Sequence, residues 1–216
     1  MIDAFDAIFF DNDGILVDTE PLFLRATQEI LATVGVNLTA EDYHEISMRW
    51  GGTVFDLATA RGISDDEIRS LRRRRSRRYS ELIDRGVRIF DGVAQTLERL
   101  HGVLPMAVVT TSDRGHFDRI HRQTDLIRHF DFVIAQGDYS HEKPHPEPYL
   151  VAAARIGVAP ERCLAIEDTE RGLRSATAAG MCCIAIPNEL SKAGNFKEAR
   201  MVLDSMCELS ASLGID

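Results

Sequence analysis

An apolar tetrad that stops abruptly on two acids sets the terms for this chain. Ala7-Ile8-Phe9-Phe10 has no polar member and reads as a strand buried on both faces, as in the middle of a parallel sheet. It gives way at once to Asp11-Asn12-Asp13-Gly14. Two carboxylates at the end of a buried strand are poor for burial but well suited to a divalent cation, because hard cations prefer oxygen ligands. Open α/β sheets keep their ligands at the carboxyl ends of strands. Two plainer readings compete. Asn, Asp and Gly also make ordinary turns. A calcium loop would place Asp11, Asp13 and Gly14 at its third, fifth and sixth positions and Glu20 at its twelfth, but Phe9 then occupies the first, where Asp is needed.

The rest of the chain repeats the strand-then-polar pattern. Pro105–Val109, Phe132–Ala135, Cys163–Ile166, Cys183–Ile186 and Met201–Leu203 read as short strands, with helices expected over Val93–His101, from Gly115, over Pro148–Ile156, over Glu170–Ala179 and at the C-terminus. Between residues 19 and 87 the period is helical instead. Leu22, Leu24, Ala26, Ile30, Leu31 and Val34 mark one helix ended by Gly35; Thr39 opens a second and Thr53–Ala60 forms a third. Ser64-Asp65-Asp66-Glu67 is a capping-box signature before a longer helix reaching about Gly86. Strands alternating with helices imply a parallel sheet covered on both faces. The fold class is therefore α/β, a Rossmann-like core over residues 1–18 and 88–216 with an all-helical cap over 19–87, placed to exclude water and choose substrates.

Composition narrows the function. With 216 residues and 44% hydrophobic content, one good core with a small second domain is affordable. A net charge of −9 argues against a nucleic-acid binder. Cys163, Cys182, Cys183 and Cys207 show no metal spacing, and reduced thiols in a cytosolic protein are the simplest reading. The N-terminus is acidic and lacks a signal-peptide pattern, and no apolar run reaches membrane-spanning length. A cytoplasmic protein without membrane attachment, monomeric or weakly dimeric, is expected.

Three later segments carry chemistry at the ends of expected elements: Val108-Val109-Thr110-Thr111-Ser112, Glu142-Lys143-Pro144-His145-Pro146-Glu147, and Ile166-Glu167-Asp168-Thr169-Glu170-Arg171-Gly172. Each alone is weak. Together with Phe10-Asp11-Asn12-Asp13-Gly14-Ile15-Leu16-Val17-Asp18-Thr19-Glu20, and in this order, they resemble the four motifs of the haloacid dehalogenase-like (HAD) superfamily, in its phosphatase and β-phosphoglucomutase-like branch. The resemblance spans nearly the whole chain.

The resemblance implies Asp11 as the nucleophile that forms an aspartyl-phosphate, and Asp13 as the acid that protonates the leaving alkoxide and then activates water. It implies Thr110 and Lys143 as catalytic partners, and Mg²⁺ held by Asp11, Asp13, Glu167 and Asp168, with Asp13 contributing its backbone carbonyl. Thr111, Ser112, Glu20 and Arg49 are expected to contact substrate. The physical need is plain: a carboxylate attacking a phosphate ester at about 4 Å is opposed by roughly 4 kcal/mol at an effective dielectric of 20, so cations must offset it. Lys143 is one such cation, acting as a point charge.

Asp13 favours phosphoryl chemistry over dehalogenation, because only an alkoxide needs a proton. In the β-phosphoglucomutase branch a His follows the first motif; here Glu20-Pro21-Leu22-Phe23-Leu24-Arg25 has none, which favours water as the acceptor. The expected function is Mg²⁺-dependent hydrolysis of a small phosphorylated metabolite, a sugar or polyol phosphate. Phosphomutase is the first alternative, and a non-catalytic HAD-like binding protein the second. The run Arg72, Arg73, Arg74, Arg75, Arg77 and Arg78 reads mainly as a solvated face, from which Arg75 or Arg78 could reach an anion. His141, His145 and Glu147 read as loop surface, since Pro144 and Pro146 break the helix that would align them. His116 and His121 read as helix surface, and Trp50 as core.

Overall fold

Strand β1 (Ala7–Phe10) is fully buried, and its alternating side chains feed two separate cores. A computed structural model describes residues 2–215. In it, Ile8 and Phe10 pack with Leu97, Leu100, Phe117, Ile120, Leu209 and Leu213, from α5 (Val93–Leu100), α6 (Arg114–His121) and α9 (Leu209–Leu213). Ala7 and Phe9 pack on the other face with Tyr149, Ala152, Leu173 and Ala176, from α7 (Glu147–Ile156) and α8 (Glu170–Ala178). The continuous apolar run in β1 is the consequence of that double coverage.

The main sheet has six strands in the order β5-β4-β1-β6-β7-β8, every neighbouring pair parallel. Its other members are β4 (Met106–Asp113), β5 (Phe132–Gln136), β6 (Cys163–Glu167), β7 (Cys182–Ala185) and β8 (Met201–Val202). The chain winds one way from β1 through β4 and β5 and the other way through β6 to β8, so a topological switch point lies beside β1. Crevices outside such points are where doubly wound sheets bind ligands. Strand β4 runs past Val109 to Asp113, with its register on β5 shifting between those residues. That extension carries Thr110, Thr111 and Ser112 forward over the sheet edge.

The helical insertion contains α1 (Glu20–Ala32), α2 (Ala40–Tyr43), a π-helical stretch His44–Arg49, α3 (Asp56–Thr59) and α4 (Asp65–Ile83). It has its own core, including Leu24, Leu31, Tyr43, Met48, Phe55, Ile68 and Leu71. Thr39 closes a reciprocal capping box with Asp42, and Ser64 accepts from the Glu67 amide, so both helix starts follow from local sequence. Two features depart from expectation. The helix expected over Thr53–Ala60 is a single turn, and an antiparallel ribbon joins β2 (Val17–Asp18) to β3 (Arg88–Ile89). Two-residue strands are too short to show periodicity. Asp18 accepts from the Arg88 guanidinium at 2.9 Å, tying the two ends of the insertion together. Among the described residues no helix is long and apolar enough to cross a membrane, and all four cysteines are free.

Candidate active site

Three strand ends meet on the carboxyl side of the sheet. The Asp11 amide continues the ladder by donating to the Ile166 carbonyl (3.0 Å), and β6 ends immediately beyond at Glu167. After Asp11 the chain reverses tightly, the Leu16 and Val17 amides both donating to the Asn12 carbonyl (2.9 and 3.2 Å). Gly14 makes the reversal possible: its φ is +93°, and a Cβ there would collide with the Asp168 carboxylate.

Asp11, Glu167 and Asp168 each place a carboxylate oxygen within 4.8 Å of the others, and all three are buried. Among the described residues, Lys143 is the one side-chain cation bonded into the group. Its Nζ donates to Asp11 Oδ1 (3.0 Å), Glu167 Oε1 (2.7 Å) and the Val109 carbonyl (2.7 Å). Burial alone would strip the proton from this lysine, but Asp11 and Glu167 hold its pKa above the ordinary value. The acids show the complementary effect. Burial, with the neighbouring carboxylates adding to it, pushes both Asp11 and Asp168 up. One ammonium does not balance three carboxylates.

That imbalance, and the oxygen-only donor set, fit a Mg²⁺ ion. Asp168 Oδ1 is buried without any hydrogen-bond partner, while its Oδ2 accepts from Asn188 (2.8 Å). Glu167 is less free: its Oε1 already accepts from Lys143 and from the Tyr149 hydroxyl (2.7 Å). Asp13 stands outside the acidic cluster. Its carboxylate accepts from Ser112 (2.6 Å), Thr110 (3.2 Å) and Thr19 hydroxyls. The Thr110 hydroxyl is thus directed at Asp13, and its oxygen also accepts from the Ser112 amide (3.0 Å).

Above this floor lies a cleft of about 410 Å³, roofed by the insertion. Glu20, Thr111 and Ser112 line it. Glu20 accepts from the Tyr43 hydroxyl (2.5 Å), and burial, chiefly, raises its pKa. The cationic lining is Arg72, Arg75 and Arg171. Arg75 lies over the Phe23 ring (4.2 Å to its centre) with its Nε buried and unpartnered, and burial lowers its pKa. Arg171, also with a buried unpartnered Nε, is opposed by burial but kept charged by Glu20.

Four expectations are corrected. Arg49 does not line the cleft: it pairs outward with Glu45 (3.1 Å) and Glu170 (3.3 Å) and stacks on Trp50. Trp50 is exposed rather than core, 57% accessible, and it is the next residue, Gly51, that meets the Lys143–Pro144 turn. Arg78 is held on the outer side by Glu29 and Glu81, whereas Arg72 and Arg75 of the same run line the cleft. Neither histidine of α6 is mere surface. His116 lines the cleft within 3.2 Å of Ser76 on α4, and His121 is buried.

His121 Nε2 lies 2.7 Å from Asn12 Oδ1, and its Nδ1 lies 2.9 Å from the Thr124 hydroxyl. The carbonyl partner places the proton on Nε2, so the neutral ring donates to Asn12 between the two motif acids. Burial lowers the His121 pKa from 6.5 to about 4. The unfolded chain therefore takes up its proton first as pH falls. Stability is complete above pH 6.5 and drops by about 3 kcal/mol on the way down to pH 4. His121→Gln keeps a donor and removes the titration. Denaturant unfolding of both proteins across this range should show the variant lacking that part of the acid slope; parallel slopes would refute the assignment.

Residues unforeseen from sequence include Thr19, Tyr149, Arg171 and Asn188. Asn188 lies just past the carboxyl end of β7, the same position rule that singles out Asp11.

Comparison with known proteins agrees with this geometry. The family described as haloacid dehalogenase-like hydrolase matches residues 8–186. The CbbY protein of Rhodobacter capsulatus is 35% identical over 89% of this chain and 90% of its own length. A phosphoglycolate phosphatase of Salmonella paratyphi A is 27% identical over 96% of this chain and 92% of its own. Among solved structures, a mutant of CbbY from Rhodobacter sphaeroides in complex with xylulose-1,5-bisphosphate superposes with a TM-score of 0.82 at 29% identity, covering 95% of this chain and 96% of that one. A family match over most of the length, and a relative above 30% identity along nearly all of it, make this chain a member of the haloacid dehalogenase-like hydrolase family.

Proposed function

We propose that the protein is a Mg²⁺-dependent phosphatase for a small sugar or polyol phosphate that carries a second anionic group. The observation that carries this reading is the meeting of Asp11, Lys143 and Asp168 on the floor of a cleft whose roof presents Arg72 and Arg75.

Asp11 attacks phosphorus through a carboxylate oxygen while the bond to the leaving alkoxide breaks, and Asp13 gives that alkoxide its proton. Asp13 then takes a proton from water as the water attacks the aspartyl-phosphate, releasing phosphate and restoring Asp11. The hydroxyls of Thr19, Thr110 and Ser112 hold the Asp13 carboxylate in one orientation through both steps. Lys143 offsets charge beside Asp11. Asp11, Asp168 and the Asp13 backbone carbonyl would hold Mg²⁺, with Glu167 bracing Lys143 and reaching the ion directly or through water. Bound there, the ion supplies positive charge where two anions must approach. The insertion, residues 19–87, serves as the cap that closes over the substrate.

Hydrolysis is preferred to group transfer between hydroxyls because α1 presents Glu20 and Phe23 to the cleft and no histidine. The second anion is supported by the guanidinium lining and by the relatives. Xylulose-1,5-bisphosphate has a second phosphate, and phosphoglycolate a carboxylate.

A panel of sugar monophosphates and bisphosphates, assayed for free phosphate with Mg²⁺ and with chelator, tests this. Bisphosphates should lead, and chelator should stop release. Arg75→Ala should raise KM for the best bisphosphate by about 10- to 100-fold, the scale of a charge-assisted hydrogen bond, and leave an aryl monophosphate nearly unaffected. An isomerised sugar phosphate without free phosphate would instead establish a mutase.

A further inference from the structure

The turn that delivers Lys143 into the cleft carries a second, outward-facing group. His141, His145 and Glu147 each offer a ligand atom, and these atoms lie within 4.8 Å of one another. Pro144 and Pro146 keep this segment out of a helix, yet its turns bring the two imidazoles to 4.5 Å between ring centres. His141 Nδ1 is 2.6 Å from Glu147 Oε2, and His145 Nδ1 is 4.0 Å from the same oxygen.

We infer that His141, His145 and Glu147 form a binding site for a borderline divalent cation of the Zn²⁺ class, separate from the oxygen site on the cleft floor. Two imidazoles and one carboxylate are a donor set that suits zinc and disfavours magnesium. Ligands around a tetrahedral ion, each about 2.0–2.2 Å from it, stand roughly 3.3–3.6 Å apart, between the two separations found here. Closing the shell draws His145 Nδ1 away from the Glu147 amide, which donates to it at 3.2 Å. The exposed fourth position is left to water.

The frame is already rigid. Glu147 is oriented by the Ser140 and His141 amides, which donate to its two oxygens at 2.9 Å each. Among the described residues it pairs with no lysine or arginine, only with these histidines. The His145 amide donates to the Glu142 carbonyl (3.0 Å), and the His145 carbonyl accepts from Ser175 on α8 (2.6 Å). An ion bound here clamps both flanks of the segment whose middle residue, Lys143, points the opposite way into the acids.

The experiment is titration of the full chain with Zn²⁺ in saturating Mg²⁺, which masks the cleft carboxylates, following binding by calorimetry and the imidazole resonances by NMR. The wild type should bind one more Zn²⁺ than the His141→Ala/His145→Ala double variant, and each single variant should weaken that site by more than tenfold. The resonances of His141 and His145 should move together as the first equivalent is added. Equal stoichiometry in wild type and double variant, or unmoved His141 and His145 resonances in the wild type, overturns the site. The NMR readout needs no variant, so a misfolded mutant leaves the question answerable.

Discussion

Asp11→Asn stops phosphate release, by at least about 10⁴-fold in kcat, while the protein still folds. An amide oxygen is uncharged and far too weak a nucleophile to attack phosphorus, and removal of a nucleophile costs an enzyme on this scale or more. The fold survives because the site is overloaded with negative charge. Asp11 is one of three buried acids around one ammonium, and its raised pKa already records a strained charge. An amide fills the same volume and still accepts from Lys143. Stopped-assay kinetics together with a thermal midpoint separate the two effects. Turnover within tenfold of wild type would remove Asp11 from the nucleophile's role.

Lys143→Met produces the largest loss of stability expected from any single change at this site. Lys143 is almost wholly buried, and its removal leaves the Asp11 and Glu167 carboxylates facing each other without a counter-charge. Breaking one side of a buried pair costs about 3–5 kcal/mol, and for a protein of this size that lowers the thermal midpoint by roughly 10 °C. The sign with pH is fixed. Burial already raises the folded pKa of Asp11, and losing Lys143 removes the group that lowers it, so the variant is stabilised below the unfolded value near 4 and loses that stability as pH rises through the folded one. Its deficit against wild type is therefore greatest near neutrality and narrows in acid. Mg²⁺ narrows it too, by supplying charge to the same oxygens. Midpoints measured from pH 4 to 8, with and without Mg²⁺, check this. A variant as stable as wild type at pH 7 without metal would show that Lys143 does not compensate these acids.

The parts of the molecule legible in sequence are those where a short apolar run is cut off by a polar group. Burial demands one and solvent or ligand the other, so β1 with Asp11, β4 with Thr110 and β6 with Glu167 announce themselves. Helix phase was legible too, but only when followed closely. Arg75 falls between Leu71 and Tyr79 on the buried stripe of α4, and His121 follows Phe117 and Ile120 on that of α6. A run of arginines blurs the first stripe, because most of its members are solvated. Arg49 was illegible for another reason: Glu170, which helps pull it outward, is distant in sequence and reaches it only once the insertion rests on α8. The β2–β3 ribbon pairs residues far apart in sequence, Val17 with Ile89 and Asp18 with Arg88, a signal no local pattern contains.

That ribbon also bears on how such a protein diversifies. Departure and return of the long excursion lie side by side, fastened at Val17–Ile89 and Asp18–Arg88. Lengthening or exchanging what hangs from this clasp changes no strand order beneath it, and loop-closure entropy rises only slowly with added length. Selectivity and reactivity can accordingly be inherited apart: a lineage can trade one canopy for another and keep its reagents where they were.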